Sequence, residues 1–177
     1  MELLSANNLN KSFGGLWAVR DFNFIIELRE IVGLIGPNGA GKTTVFNLLS
    51  GFYKPDTGSI IFNGENITNL KPYEICKKGV ARTFQLVKPF DNLTVHHNIR
   101  IAAYNTLNSL KGAEETTLNL VNLLRMSNKR DYLAKDLTIA ERKRLELGRS
   151  LATRPTLLLL DEVMAGLNSK EVNDIID

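Results

Sequence analysis

One cysteine, Cys76, among 177 residues excludes an internal disulfide and a cysteine-built metal site, and suits a reducing compartment. On its own it reads as a small apolar filler. The only histidines, His96 and His97, are adjacent. They point to different sides of a helix, which rules out the spacing of a paired-histidine metal site, and they read as surface or insert residues. No apolar run approaches the roughly 20 residues that cross a bilayer, and MELLSANNLNK lacks the basic start and apolar stretch of a secretory signal. A cytosolic chain, or one held to a membrane by something else, is expected. Excess charge is missing too: 22 basic against 19 acidic residues leave +3, scattered rather than striped, so composition does not call for nucleic acid. Hydrophobic residues make up 44% and charged ones 23%, which excludes disordered, collagen-like and fibrous classes and leaves one globular domain with room for a small insert. There is no internal repeat, low-complexity tract or linker.

From Met1 to about Ile35 the pattern is extended, alternating at Phe22, Phe24 and Ile26, and the run Ile31-Val32-Gly33-Leu34-Ile35 reads as a buried strand. It leads into Gly36-Pro37-Asn38-Gly39-Ala40-Gly41-Lys42-Thr43-Thr44. Val45, Phe46, Leu48 and Leu49 then recur at helical spacing until Ser50-Gly51. Ser59 to Ile67 reads as a hairpin turning at Asn63-Gly64, a pair that accepts positive φ. Val80 to Gln85 is a further strand candidate. Thr94 to about Arg125 reads as helix, with Leu118, Val121 and Leu124 on one face. Thr138-Ile139-Ala140-Glu141 has the spacing of a capping box and predicts a helix to Ala152, ended by Pro155. Leu157 to Leu160 reads as a strand buried on both faces and closed by Asp161-Glu162, with Ser169 able to cap one more helix. Two small sheets are expected, one antiparallel and one parallel.

Gly36 to Thr43 fits the G-x-x-x-x-G-K-[ST] phosphate loop. Backbone N–H groups wrap the β-phosphate, Lys42 reaches the β- and γ-oxygens and Thr43 meets Mg²⁺. Glycine is required because a Cβ blocks approach of the backbone to phosphate, and the following helix places its positive end beneath the charge. Asp161, at a strand end, could hold Mg²⁺ through water, and Glu162 could polarise an attacking water as a general base. A leucine run ending in two acids is by itself more often an ordinary strand meeting solvent; the phosphate loop upstream shifts the balance towards chemistry.

With GPNGAGKTT at Gly36 to Thr44, RTFQ at Arg82 to Gln85, LTIAERKRLELGRSLA at Leu137 to Ala152 and LLLLDEVMAGLN at Leu157 to Asn168, the chain resembles an ABC transporter ATP-binding subunit. SFGGLWAV at Ser12 to Val19, RTFQ and DEVMAGLN bring the likeness closest to ATPases of branched-chain amino-acid importers. The resemblance implies an α/β fold: a P-loop NTPase core with an N-terminal antiparallel β subdomain and a helical insert over about residues 90–152, all within one domain spanning residues 1–177. It implies ATP and Mg²⁺ as cofactors. Phe13 would stack on adenine, although an aromatic there is equally a core residue. Lys42, Gln85 and Glu162 would be catalytic, and Thr43, Gln85 and Asp161 would meet the metal. Thr138, Ile139, Ala140 and Glu141 would be presented in trans to ATP on a second ATP-binding subunit, identical or related. Integral membrane permease subunits are the implied direct partners, with a solute-binding protein served indirectly and no nucleic acid. The implied location is cytoplasmic, peripheral on the inner face of the cell membrane.

Three departures accompany the likeness. Ile139, Ala140 and Glu141 replace the glycines and glutamine of the commoner signature, with Ala140 adding a methyl where backbone should approach phosphate, and Thr138 has a competing role as helix cap. Asn168 stands where many members have aspartate. The chain reaches Asp177 before the family's γ-phosphate histidine and before the strand that separates the acidic strand from the phosphate-loop strand. A fragment of a longer protein, poor at binding nucleotide and hydrolysing it slowly or not at all, is therefore expected. The alternative reading is a nucleotide-dependent regulatory module or degenerate fragment without turnover. A DNA-associated relative is disfavoured by the modest charge and the lack of heptads, and a small-molecule phosphotransferase leaves Leu137 to Arg149 unexplained.

Overall fold

The computed structural model describes residues 1–84, 87–107 and 109–161. The chain divides into two compact units, Met1–Ile75 and Cys76–Asp177.

In the first unit, β1 (Glu2–Phe13), β2 (Leu16–Glu27), β3 (Thr57–Phe62) and β4 (Glu65–Asn66) form an antiparallel sheet in the order β2-β1-β3-β4. The alternation read at Phe22, Phe24 and Ile26 holds, since the residues between them are exposed. The β3–β4 turn falls at Asn63-Gly64, whose φ values of +50° and +77° are those a two-residue hairpin turn demands. Leu4, Leu9, Ile60, Phe62 and Ile67 are fully buried, as is Leu48 of α1 (Lys42–Leu49). Residues 31–35 correct the reading of a buried strand. They form no strand, and Ile31 and Ile35 are 100% and 95% exposed. An apolar run becomes a strand only where neighbours take up its backbone donors and acceptors, and among the described residues no ladder reaches this run.

The second unit follows α2 (Pro72–Lys77), which carries the chain across the boundary. It holds β5 (Val80–Arg82) and β6 (Leu157–Leu159), paired in parallel with Val80 opposite Leu157 and Arg82 opposite Leu159. The leucine strand is buried at Leu157 and Leu159, while Leu158 is half-buried and Leu160 half exposed, so one face is buried and the other only partly, rather than both as read. The expected long helical stretch is broken into α3 (Val95–Ala103), capped by Thr94, and α4 (Leu110–Leu123), capped by Ser109. Val95, Ile99 and Ala103 pack with Ala113 and Val121, and with Leu145 and Ala152 of α5 (Ile139–Ala152), into one core. Buried Asn98 closes the loop ahead of α3: its Oδ1 accepts from the Phe90 N–H and its amide donates to the carbonyls of Phe90, Leu93 and Thr94. His96 is not a surface residue. It is buried on α3 and its Nε2 lies 2.8 Å from Glu114 Oε1 on α4. Cys76 behaves as filler, its thiol pushed up by burial.

Candidate nucleotide site

The phosphate loop lies in the first unit. Pro37 O accepts from the Ala40 N–H at 3.2 Å, and Gly39 and Gly41 turn the chain at φ +82° and +84°. A Cβ on Gly41 would stand 2.2 Å from the Ala18 carbonyl of β2. Gly41 therefore serves two demands at once, a left-handed backbone and close approach to β2. Lys42 Nζ donates to the carbonyls of Gly36 at 2.7 Å and Pro37 at 2.8 Å, so the ammonium spans the loop from within. No side chain caps α1, which leaves its first-turn N–H groups directed at the space a phosphate would take. Pro37, Asn38, Gly39, Ala40 and Thr43 are exposed, and Gly36 and Thr44 are half-buried. A cavity of about 280 Å³ adjoins the loop, lined by Ala18, Val19 and Phe22 of β2 together with Ala40, Lys42 and Val45.

Phe13, at the end of β1, is half exposed, so it is not a core residue. Its ring meets Tyr53 edge-on at 5.2 Å. The adjoining residues are pinned by Asp56, which accepts from Lys11 Nζ at 2.7 Å and from the Ser12 N–H and hydroxyl at 2.8 and 2.9 Å. These bonds, Lys11 foremost, lower the Asp56 carboxyl to about 2.

The remaining described candidates lie in the second unit. Thr138 and Glu141 form the capping box: Glu141 Oε2 accepts from the Thr138 N–H at 2.9 Å, and Thr138 Oγ1 accepts from the Glu141 N–H at 3.3 Å. Burial opposes ionisation of Glu141, but the Thr138 bonds and nearby Lys129 outweigh it and hold the carboxyl below its usual range. Ala140 is buried, so its methyl packs into the fold, whereas Ile139 is 69% exposed. Arg142, missed in the sequence, braces the approach to this helix by donating to the carbonyls of Leu137 at 3.3 Å and Lys135 at 2.7 Å.

Asp161 lies just beyond β6 as a buried carboxylate. Arg82 Nη2 donates to its Oδ2 at 2.9 Å, the two side chains being 6% and 9% exposed, and its N–H donates to Thr83 Oγ1 at 3.2 Å. Arg82 sits in the quoted RTFQ motif, yet nothing there pairs it with a residue 79 positions on. Gln85, Glu162 and Asn168 lie outside the described residues, as does Ser169. The Thr43 hydroxyl in the first unit and the Asp161 carboxylate in the second are each a hard oxygen donor of the kind magnesium takes, the carboxylate being already engaged by Arg82.

Residues 19–165 match the family described as ABC transporter. The chain belongs to the ABC transporter family. It is 41% identical to the high-affinity branched-chain amino acid transport ATP-binding protein BraF of Pseudomonas aeruginosa and 40% identical to LivG of Escherichia coli, in both cases over 98% of this chain and 74% of the relative. It is also 37% identical to the lipopolysaccharide export system ATP-binding protein LptB of Haemophilus influenzae, over 99% of this chain and 73% of that protein. Among solved structures, an ATP-binding cassette of an ABC transporter matches with a TM-score of 0.87 and 31% identity, covering 99% of this chain and 74% of that one. The same cassette in its ADP conformation matches with a TM-score of 0.85. The fold is thus that of an ABC ATPase cassette, as the motifs implied, and the chain is an ATP-binding subunit of the ABC transporter type. No described helix is long and apolar enough to cross a membrane.

Proposed function

We propose that this subunit binds and hydrolyses MgATP to drive import of branched-chain amino acids. The carrying observation is the loop itself: Gly41 wedged beneath the Ala18 carbonyl, Lys42 held across the turn and an uncapped α1 beginning at the same residue. Backbone amides of Gly36 to Thr44 would cradle the β- and γ-phosphates, and Lys42 would exchange its two loop carbonyls for phosphate oxygens. The Thr43 hydroxyl and, as the family resemblance implies, Gln85 and Asp161 would each offer an oxygen to magnesium, whose charge would offset that of the phosphates. Glu162 would accept the proton of the attacking water, and Phe13 would offer its exposed face to adenine. Thr138 to Glu141 head α5, whose positive end suits the γ-phosphate held by a second ATP-binding subunit. Permease subunits at the inner face of the membrane would take up the resulting motion, and a solute-binding protein would deliver cargo to them. The BraF and LivG relatives support the amino-acid assignment. The LptB relative shows that cassettes of similar sequence serve other cargo.

Calorimetry with MgATP, paired with phosphate release, tests the reading. Lys42→Ala should weaken binding about a hundredfold, since it removes charge-assisted bonds to phosphate. Unchanged affinity would remove the site. Binding without phosphate release would favour the regulatory alternative, which the capping box supports by engaging the Thr138 hydroxyl. Uptake of leucine by vesicles carrying the permease and this subunit tests the cargo.

A further inference from the structure

One face of α5 performs a task that no motif assigns. Glu146, Arg149 and Ser150 are spaced so as to share that face. Glu146 is buried and its Oε1 accepts from the Phe84 N–H at 2.6 Å. Ser150 Oγ donates to the Arg82 carbonyl at 3.1 Å. Arg149 Nη1 donates to the Lys88 carbonyl at 3.1 Å, with its guanidinium 5.1 Å from the Phe90 ring centre. Arg82 ends β5, and the route continues from there: the Arg82 side chain pairs with Asp161, and Thr83 Oγ1 accepts from the Asp161 N–H. Helix, strand end and acidic residue are therefore joined by direct hydrogen bonds.

A carboxylate is a costly group to place here. Burial pushes the Glu146 carboxyl up, against the pull of the Phe84 amide and of the Arg149, Lys143 and Arg82 charges. An apolar side chain would avoid that desolvation, but it could not hold Phe84.

We propose that Glu146 and Ser150 are positioning residues that fix the C-terminal end of β5, and with it the Asp161 carboxylate, to the helix headed by Thr138 to Glu141. Any displacement of that helix is transmitted to Asp161 through bonds rather than through loose packing, and metal ligands tolerate little displacement. The consequence for turnover rests on the ATPase reading above; the locking itself does not.

Hydrogen exchange across residues 80–84 and a magnesium titration of phosphate release, on the full chain, test this. Glu146→Gln keeps an acceptor for the Phe84 N–H and should stay within about twofold of the parent in both measurements. Glu146→Leu should speed exchange at Phe84 about tenfold, and Ser150→Ala about fivefold near Arg82. Both should raise the magnesium concentration for half-maximal turnover about fivefold, with kcat at saturating magnesium little changed. If Glu146→Leu does not fold, Ser150→Ala set against Glu146→Gln carries the comparison. Exchange like that of the parent would overturn the proposal. So would a lowered melting temperature with unmoved magnesium dependence, because that is the signature of packing alone. A parent chain that releases no phosphate would instead sink the ATPase reading, and the exchange comparison would still decide the locking.

Discussion

The phosphate loop and the acidic strand build their chemistry from different materials. In the loop the atoms proposed to hold phosphate are main-chain amides, and the side chains matter chiefly by being absent, as at Gly41, where a Cβ would stand 2.2 Å from the Ala18 carbonyl. Around Asp161 the bonds are made by side chains that reach across long stretches of sequence: Arg82 to the Asp161 carboxylate, Glu146 to the Phe84 N–H, Ser150 to the Arg82 carbonyl. Backbone sites leave a dense local signature, whereas side-chain relays leave none. The first kind should be brittle to a single methyl, and the second should fail in proportion to the pair removed.

The largest effect is expected at the loop. Gly41→Ala must either leave φ +84° or displace β2, and should weaken MgATP binding by about a hundredfold or more in calorimetry. If affinity survived, the loop would be less tightly framed than its geometry implies. Next, Arg82→Met strands a buried carboxylate and should cost about 3 to 5 kcal/mol in urea unfolding, with Asp161→Asn in the same chain recovering much of it. An additive double variant would show that the pair does not act as one unit. Thr138→Ala removes half of the capping box and should cost about 1 kcal/mol in the same assay. The smallest change concerns Asp56. Its carboxyl sits at about 2 against an ordinary 3.8, so its contribution is present above the ordinary value and is lost as pH falls through the lowered one. Asp56→Asn should lower stability at neutral pH, leave it unchanged below about 2, and so flatten the acid limb between those values.

Legibility followed the same division. Gly36 to Thr44, the Asn63-Gly64 turn and the Thr138 to Glu141 capping box are local patterns, and each appears in the structure where it was read. The run at residues 31–35 was misread because apolar composition reports the wish to be buried and says nothing of available ladder partners. His96 escaped because its partner, Glu114, lies on another helix. Arg82 and Glu146 stood within quoted motifs without roles, since their hydrogen-bond partners become neighbours only when β5, β6 and α5 assemble. The partners of Arg142 are instead backbone carbonyls of the turn just ahead of α5, which carry no side-chain signature. Ala140 was expected to intrude on the open face of the signature loop, yet it is buried, and the exposed neighbour is Ile139.

The mutual grip of Thr138 and Glu141 has a thermodynamic corollary for assembly. A helix end with two of its donors already held by its own side chains, Thr138 N–H and Glu141 N–H, has less conformational entropy to lose when another surface closes on it. Association at this end would then be governed by shape and charge, and by the desolvation of Ile139, rather than by disorder giving way to order.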